Sequence, residues 1–501
     1  MSTGGIFTLI TNDGKQDKML MAVDLLNIRL RDVEISKKKL NMDPTPNLID
    51  IERTHILYLN AHFKPFVAMG SEYSRVEPAA NNFSFGSEVK FCIPSFGDFF
   101  HDMAFRVKLS GFAASTQQYR SNLNGENNFL PLSSDKVRYC EYPGERLFDS
   151  VRLDVSGNPL DVYTSDDVAL HRQFEIGSDK IQSWNRCVGQ QDFIQGSLMH
   201  ENSSEVKWFS NGAQTWKNSH ELELWVPLIF WFNTNVALSI PSVCIPYGQR
   251  FISAKITALQ NLIEAKSFRN QPPVFTAPII TEMSLYINNI FVNPEIHDIF
   301  IKRVGFSLIR IHLQQKKIID LPKGSELFSS LKFPIETIYF GMRHSLKPGD
   351  SWWRYGKQEV KKQIMPVAYT PTVTNSGTGI AFAEAEYMET QSIFTGIGLK
   401  AHGVTIYQKS PASFYNHYIN YNRGKLVSPK DEHVYAFVFN LFPLAYQPSG
   451  HLNFSRSREM YLEYDAKITG QYENTAELVI SAKAINFLLI ADGSAVLRYA
   501  T

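Results

Sequence analysis

The most constraining feature of the chain is a segment in which apolar and polar residues alternate between two turns. Residues 139–161 read YCEYPGERLFDSVRLDVSGNPLD. Pro143-Gly144 predicts a turn, and the alternation in residues 151–155 (VRLDV) is typical of a strand with one buried face. The next four residues, SGNP, predict a second turn that ends this strand. Segments of this kind favour packed antiparallel sheets.

The same alternation recurs along the chain from about residue 55 onward. Further alternating segments are residues 89–93, 105–109, 252–256, 434–438 and 460–464. Helical signals are short: residues 164–167 (TSDD) predict the start of one helix, and residues 293–300 predict another. Strands in series with scattered single helices indicate sandwiches or barrels, and they argue against βαβ units. We therefore predict an all-β protein.

Two distant segments resemble each other and suggest an internal duplication. Residues 281–293 (TEMSLYINNIFVN) and residues 475–493 (TAELVISAKAINFLLIADG) both start polar and continue as a long apolar strand, and each follows another strand segment. Two tandem copies of one sandwich would produce this pattern. The final residues, INFLLIADGSAVLRYAT, predict a hairpin with Asp492-Gly493 at its turn.

The first 50 residues differ from the strand-rich remainder. Residues 18–33 place apolar side chains at helical spacing, and a basic run, Lys37 to Lys39, precedes a proline-containing stretch. We interpret this part as an arm or base element. Four long polar segments predict extended loops, at residues 113–135, 178–220, 260–277 and 347–383.

Composition limits the classes of function that the chain can have. Fifty basic and 49 acidic residues among 501 give a formal net charge of +1, so no basic excess favours direct nucleic-acid binding. Aromatic residues make up 13% of the chain, which suits sheets packed face to face. The layout of a signal peptide and an apolar run of ~18 residues are missing. We expect a protein that is neither secreted by a signal peptide nor membrane-spanning.

The chain has four cysteines, and their spacing does not resemble a metal or redox motif. Cys92, Cys140, Cys187 and Cys244 form no C-x-x-C pair. Four cysteines in a chain of this length do not make a disulfide scaffold. We expect reduced, buried thiols that pack as small apolar side chains in or near the sheets.

Potential metal ligands occur without a metal-binding motif. Thirteen histidines are present, but neither H-x-H nor H-E-x-x-H occurs. His55 with His62, or His297 with His312, could converge in space to bind a metal. Lone histidines in sandwiches more often serve structural roles, so we predict no metal ligands.

The sequence also lacks the usual signs of a catalytic site. A phosphate-binding P-loop and the Gly-x-Ser-x-Gly elbow of serine hydrolases are missing. Asp166-Asp167 and Asp431-Glu432 are pairs of carboxylates beside turns. A glycosidase requires a pair of carboxylates for catalysis. We interpret both pairs instead as solvated charges in loops. We therefore predict no catalytic residue, no cofactor and no enzymatic activity.

Other short motifs are interpreted structurally. Asn82, Asn202 and Asn453 each begin a glycosylation triplet, which we expect to be unused in a protein without a signal peptide. Arg456 and Arg458 could pair with carboxylates of the same or a neighbouring chain, because arginine suits bidentate pairing at buried interfaces.

Many long segments, in order, carry a family resemblance. They include, besides residues 139–161, GGIFTLITNDGKQDK, NAHFKPFVAMGSEY, IPSFGDFFHDM, IFWFNTNVALSIPSVCIPYGQRFI, YINNIFVNPEIHDIFIKRVGFSLIR, YQPSGHLNFSRSREMYLEYD and INFLLIADGSAVLRYAT. Together they closely resemble the major capsid protein (hexon) family of the African swine fever virus type, found in nucleocytoplasmic large DNA viruses. Several stretches that form outward-facing loops in that family are shorter here, so the outer surface does not carry over.

The resemblance implies a fold and a domain organisation. It implies a double jelly roll, with two tandem eight-stranded antiparallel jelly rolls, long loops and an N-terminal base arm. We accordingly divide the chain into an arm at residues 1–50, a first jelly roll at residues 51–305 and a second at residues 306–501.

The resemblance also implies a function, a location and partners. Three chains would form a pseudo-hexameric capsomer that tiles the icosahedral shell of a virion assembled in host cytoplasm. Its expected partners are further copies of itself, neighbouring capsomers, minor capsid and penton proteins, and a virus-encoded folding chaperone. The N-terminal arm would face the inner layers or the membrane.

Two other classes of function remain alternatives. One is a double-jelly-roll hydrolase acting on carbohydrates or glycopeptides, and the other is a lectin-like attachment protein. Both usually work outside the cell, so the missing signal peptide and the few cysteines count against them. A tight trimer would favour the capsomer, and an active monomer would favour the enzyme.

Overall fold

The structure is a computed structural model, and it describes most of the chain after residue 68. The described residues are 69–80, 83–113, 120–121, 128–129, 136–190, 218–219, 221–245, 250–266, 275–294, 298, 305–344, 352–366, 382–423, 425–457, 459–467, 476–491 and 494–499, together with scattered positions between 22 and 36.

The first half of the chain forms a sandwich of two antiparallel sheets. Its eight main strands are β1 (Met69–Val76), β2 (Glu88–Cys92), β3 (Phe99–Leu109), β4 (Phe148–Val155), β5 (Asn158–Thr164), β6 (Leu222–Pro227), β7 (Arg250–Ile256) and β8 (Ile280–Val292). One sheet has the order β1-β8-β3-β6, and the other has the order β2-β7-β4-β5.

The second half repeats this arrangement. Its eight main strands are β9 (Gly305–Ile319), β10 (Lys323–Leu327), β11 (Pro334–His344), β12 (Phe394–Ala401), β13 (Val404–Pro411), β14 (Val434–Val438), β15 (Met460–Ala466) and β16 (Ala476–Ala491). The sheet orders are β9-β16-β11-β14 and β10-β15-β12-β13. A final strand, β17 (Ser494–Leu497), pairs with β16 as the predicted C-terminal hairpin requires.

Each strand of the second sandwich is equivalent to the strand of the first sandwich whose number is lower by eight, so that β9 corresponds to β1 and β16 to β8. Eight strands in two four-stranded sheets with these crossing connections make a jelly roll. The structure therefore confirms the predicted all-β fold with two tandem jelly rolls. The two similar sequence segments are equivalent strands, since residues 281–293 cover β8 and residues 475–493 cover β16.

The equivalence extends to local backbone geometry. The β4–β5 hairpin turns at Ser156-Gly157, with φ of 51° and 82°, and the β12–β13 hairpin turns at His402-Gly403, with φ of 49° and 78°. The pairing register of the two strands also shifts at an equivalent position in each hairpin. The shift occurs at the Leu153–Asp161 pair in the first hairpin and at the Leu399–Tyr407 pair in the second. Both turns need residues that tolerate a left-handed backbone.

Aromatic rings fill the core of each sandwich. In the first sandwich, Phe105 packs between Phe91 and Phe148, with ring centroids 5.3 and 4.7 Å away. In the second, Phe340 lies 4.8 Å from Phe437 and 5.7 Å from Tyr435. All five residues of β14 are buried, so this strand is covered on both faces.

Helices are short and lie between strands. They are α1 (Pro143–Arg146), α2 (Ser165–Glu175), α3 (Ile181–Cys187), α4 (Trp231–Thr234), α5 (Leu259–Leu262) and α6 (Ile419–Asn422), with a π-helical turn at Phe414–Tyr418 and 3₁₀ turns at Val236–Leu238 and Ser242–Cys244. The predicted start of α2 is confirmed. Of the helix predicted at residues 293–300, the structure describes only residues 293, 294 and 298, and Pro294 and Asp298 are helical.

Additional short strands extend the sheets or decorate them. They are Phe112–Ala113, Arg120–Ser121, Asn128–Phe129, Lys136–Tyr139, Asn218–Ser219, Ile240–Pro241, Ile263–Lys266, Lys357–Pro366, Phe382–Gln391 and Leu452–Asn453. The described positions between residues 22 and 36 are helical, as predicted, and expose Leu25, Leu26, Ile28 and Leu30. Among the described residues, no helix is long and apolar enough to cross a membrane.

Three local predictions are wrong. Pro143-Gly144 begins the helix α1 instead of forming a simple turn. Parts of the predicted loops are ordered, since Ile181–Cys187 is helical and Lys357–Pro366 pairs with Phe382–Gln391. Neither segment carries a clear apolar period. All four cysteines are free, as expected, but Cys92 is exposed, because it lies on the outward face of β2.

We predict that Gly157→Ala and Gly403→Ala each destabilise the protein by about 1–2 kcal/mol, because a Cβ is unfavourable in the left-handed region. No atom lies within 4 Å of the place that the added methyl group would take at either position, so the loss would come from backbone strain alone. The matched controls, Gly157→Asn and Gly403→Asn, should lose less, since asparagine tolerates this conformation. Denaturant midpoints at fixed protein concentration measure the difference, and equal midpoints for Ala and Asn would contradict it.

Candidate functional site at the interface between the two sandwiches

The two sandwiches meet along a buried polar interface that begins where β5 leads into α2. The backbone N–H of Thr164 donates to the Asp167 carboxylate at 2.7 Å, and this capping box starts the helix. The cap fixes α2 against the end of β5. Its first turn thereby directs the buried Asp166 toward the second sandwich.

Asp166 forms the central ion pair of this interface. Arg343 of β11 donates to the two carboxylate oxygens at 2.7 and 3.2 Å, and Lys316 of β9 also pairs with this carboxylate. Burial by itself would raise the pKa of Asp166, but the two cations outweigh it and lower the pKa to about 2. Arg343 donates further to Glu477 at 2.9 Å, which joins β16 to the same network.

A second buried pair joins the two edge strands. Asp161 of β5 accepts hydrogen bonds from the backbone N–H of His312 and from its ring Nδ1, both at 2.9 Å. Burial would lower the pKa of His312, but the Asp161 carboxylate outweighs burial and raises it. Gln314 of β9 adds a hydrogen bond to the carbonyl of Val162 at 3.1 Å.

The C-terminal end of α2 also contacts the second sandwich. Glu175 pairs with Lys483 at 2.5 Å and is hydrogen-bonded to His171 at 2.9 Å. Burial by itself would raise the pKa of Glu175, but these two partners hold it below the usual range. Phe174 stacks on Tyr339 with ring centroids 4.5 Å apart. Both ends of the helix are therefore attached to the same partner.

Residues around α1 extend the interface through tryptophans. The Glu141 carbonyl accepts from the Trp352 indole at 2.7 Å, and its carboxylate accepts from Trp353. The buried guanidinium of Arg172 forms an ion pair with the Glu145 carboxylate at 2.8 Å. The same guanidinium lies 3.6 Å from the ring centre of Tyr142. Cation–π contact and ion pairing together stabilise the charge of this buried arginine.

This arrangement is suited to holding two bodies in one orientation. Asp161, Asp166 and Glu175 on the first sandwich each meet a cation or donor on the second. A rotation of one sandwich would leave several charges unpaired in a dry environment. Leaving one such charge unpaired costs several kcal/mol. The geometry therefore favours a rigid two-sandwich unit.

The structure corrects the interpretation of these carboxylates as solvated loop charges at three of the four positions, whereas Glu432 is exposed. Asp166, Asp167 and Asp431 are all buried. Asp431 accepts from the backbone N–H groups of Tyr355 and His433 at 2.5 and 3.0 Å. The sequence shows turns at these positions, but partners from distant segments cover them.

The other candidate residues fall into two groups. His312 is in the interface described above, and Asn453 accepts from the backbone N–H of Ser455 at 3.0 Å. Arg456 has no ion pair with a described carboxylate, so its predicted pairing stays a prediction. Six candidates lie outside the described residues: His55, His62, His297, Asn82, Asn202 and Arg458. Within the described part of the chain, no cluster of His, Cys, Asp and Glu could hold a metal ion.

Sequence reasoning missed the second half of the interface. Arg343, Lys316 and Lys483 lie in strands that otherwise resemble ordinary sheet segments. The one available signal was the charge of Arg343 next to the apolar run IYFGM of β11. Such a charge in a buried strand needs a partner.

Two jelly rolls held side by side in one chain by buried ion pairs define a double-jelly-roll protein. Comparisons with known proteins agree with this class. Residues 71–293 match the family model for the major capsid protein N-terminus, and residues 291–496 match that for the large eukaryotic DNA virus major capsid protein.

Individual relatives support the same assignment over the full chain. The hexon protein p72 of African swine fever virus is 33% identical, covering 100% of both chains. The solved Faustovirus major capsid protein is 31% identical with a TM-score of 0.69, covering 96% of this chain and 100% of its own. The major capsid protein of Paramecium bursaria Chlorella virus 1 is 24% identical over 72% of this chain and 80% of that protein. The chain belongs to the family of major capsid proteins of large eukaryotic DNA viruses.

We predict that Arg343→Leu destabilises the protein by about 3–5 kcal/mol, because it removes the bidentate partner of a buried carboxylate. Arg152→Leu is the matched control, since Arg152 forms a pair with Asp154 at the surface, with 44% of its side chain exposed. That control should change stability by no more than about 1 kcal/mol. Denaturant unfolding of both variants tests this, and similar losses would contradict a special role for the interface.

The His312–Asp161 pair predicts a pH dependence with a definite sign. The pKa of His312 is higher in the folded protein than in the unfolded chain. The pair therefore contributes fully to stability below the ordinary histidine pKa of about 6.5, and this contribution is lost as the pH rises through the pKa of the folded protein. The neighbouring Asp167 also favours the charged imidazole, and Lys483 opposes it. The unfolding temperature of the native protein should therefore fall on going from mildly acidic to alkaline pH.

Two variants isolate this pair. Asp161→Asn should flatten that part of the pH profile, whereas His451→Gln, at an exposed histidine, should leave it intact. Scanning the unfolding temperature between about pH 5 and 9 measures both. An unchanged slope in Asp161→Asn would refute the assignment to His312.

Proposed function

We propose that this major capsid protein forms a homotrimer whose three chains present six similar sandwiches, and that these pseudo-hexameric capsomers tile the icosahedral shell of a large DNA virus. The observation that carries the proposal is the identical strand order of the two halves. Because each chain supplies two like units, three chains related by a three-fold axis approximate a six-fold ring. Closed rings of this type are a common outcome of head-to-tail association.

The same observation supports a division of the chain into an arm and two jelly rolls. We propose an N-terminal arm at residues 1–50, a first jelly roll at residues 51–305 and a second at residues 306–501. In support, the eight strands of the first sandwich lie between Met69 and Val292, and the second begins at Gly305.

A structural role without catalysis fits the polar groups of the structure. A cavity of about 1080 Å³ lies beside the interface and has Glu175 and Glu336 in its wall. Both carboxylates are paired with cations, Lys483 and Arg310 respectively. Paired carboxylates of this kind are poor general bases. The relatives are capsid proteins, so neither a hydrolase nor a lectin-like attachment protein is favoured.

The expected partners of the protein follow from its proposed place in the capsid of the virion. Besides neighbouring capsomers, the protein would contact minor capsid and penton proteins, and a virus-encoded chaperone would assist its folding in host cytoplasm. The balanced charge supports a role without direct nucleic-acid contact. The arm would reach the inner layers or the membrane, where each basic residue near an anionic surface, such as Lys37 to Lys39, contributes ~1 kcal/mol.

Light scattering after size-exclusion chromatography tests the homotrimer. We expect one species with three times the chain mass of 57.1 kDa. Obligate interfaces bury on the order of 2,000–5,000 Å², so dilution to low micromolar concentration should not dissociate it. A stable folded monomer at that concentration would exclude the proposed capsomer.

A further inference from the structure

A cavity between the two sandwiches has basic side chains in its wall. Its volume is about 330 Å³. Residues between 229 and 238 line it from the first sandwich, and residues between 306 and 312 line it from the second. Arg310, His312 and Lys483 are its basic wall residues, and none of its described wall residues is acidic. A cavity lined in this way favours a negatively charged group.

The strand register of the second sandwich brings these three basic residues together. His312 of β9 is directly opposite Lys483 of β16, and Arg310 lies two positions before His312 on the same strand. Directly opposite side chains have Cβ atoms about 5 Å apart, and side chains two positions apart on a strand share a face. The three basic groups are therefore neighbours on one face of one sheet.

His312 carries an unpartnered polar atom at this cavity. Its side chain is only 5% exposed, and its Nδ1 is bonded to Asp161 at 2.9 Å. Its other ring nitrogen, Nε2, is buried and has no hydrogen-bond partner among the described residues. The Asp161 carboxylate favours the charged imidazole, in which both ring nitrogens are donors. An anionic oxygen in the cavity would satisfy this second donor.

Lys483 and Arg310 can bind the same anionic group without leaving their present partners. Lys483 pairs with Glu175 at 2.5 Å. Arg310 donates to Glu336 at 2.5 and 3.3 Å and to the carbonyl of Ala445 at 2.8 Å. An ammonium has three donors and a guanidinium has five, so each can donate to a further oxygen.

An apolar pocket adjoins the basic cavity. Its volume is about 410 Å³, and it shares the wall residues Ala237, Phe306 and Ser307 with the cavity. None of its described wall residues is charged, and Ile290 and Ile490 are among them. Both volumes lie in the range of small-molecule sites. Basic groups at one end and an apolar pocket at the other suit an amphiphile with an anionic head.

The apolar pocket opens to the surface between apolar side chains. Met69 is 58%, Val236 is 56% and Phe306 is 52% exposed. Exposed apolar side chains around a concave surface are typical of a ligand-binding groove. Because each buried methylene group of a ligand adds to its affinity, such a pocket favours a long hydrocarbon chain over a short one.

We propose that this chain binds one long-chain fatty acid where its two sandwiches meet. The carboxylate lies at His312, Lys483 and Arg310. The hydrocarbon chain passes Phe306 and fills the apolar pocket beside Ile490. The ligand contacts both sandwiches, so binding stabilises their junction. The site is contained within one chain, and the proposal therefore does not depend on the homotrimer.

Displacement of a fluorescent fatty acid tests the site in the full-length chain, purified without detergent and stripped of lipid. The probe is cis-parinaric acid, whose fluorescence rises in apolar surroundings. We expect saturation at one probe per chain and displacement by palmitate. Hexadecanol, which has the same chain length without the charge, should displace the probe about tenfold less well. Binding that does not saturate, or equal displacement by palmitate and hexadecanol, would overturn the proposal.

A bulky substitution between the cavity and the apolar pocket locates the ligand. Ala237→Trp should raise the dissociation constant for palmitate about tenfold, because the indole fills the space that the two compartments share. Ala80→Trp, at another exposed alanine outside both, is the matched control and should leave the constant unchanged. If Ala237→Trp fails to fold, Ser307→Trp blocks the same space from the second sandwich and decides. An unchanged constant in the folded variant contradicts this site.

His312→Asn tests the contact with the carboxylate. The asparagine amide can still donate to Asp161, but it has no donor at the place of Nε2. The dissociation constant for palmitate should rise about fivefold, the loss of one hydrogen bond, while that for hexadecanol stays unchanged. Equal weakening of both ligands, or of neither, would refute the placement of the carboxylate at His312.

Discussion

The bidentate pair between Asp166 and Arg343 is the interaction on which the rest of the architecture depends. It joins α2 of the first sandwich to β11 of the second, with the carboxylate of Asp166 buried and the side chain of Arg343 partly buried. Buried ion pairs add little net stability compared with apolar packing, but they penalise every arrangement that separates them. Together with the pairs at Asp161 and Glu175, this contact selects one orientation of the two sandwiches.

A fixed orientation matters because a shell protein must present the same surfaces in every copy. The two halves share strand order, hairpin geometry and the position of a register shift. In the proposed homotrimer, the junction inside the chain would be the pattern for the junctions between chains. Exposed edge strands are usually an aggregation hazard. β1 and β13 are such edge strands, and neither contains a buried residue.

Local features were predictable from sequence because their causes are local. The alternation in residues 151–155 specifies a strand with one buried face, and Thr164 with Asp167 specifies a helix start. Burial of charged groups was not predictable in this way. Asp166 and Asp431 were expected to be solvated because each is close to a turn, yet distant residues cover them. Cys92 was expected to be buried because cysteine usually is, but the alternation of side chains along β2 places it on the outward face.

The sequence by itself determined the strands, their duplication into two similar halves and the family to which they belong. These properties depend on the period of apolar residues and on long segments of shared sequence. Only the tertiary structure decided how the halves meet. Asp166 and Arg343 are 177 positions apart, and Asp161 and His312 are 151 apart. No local period connects residues at such separations, because their pairing arises only when two completed sandwiches pack together.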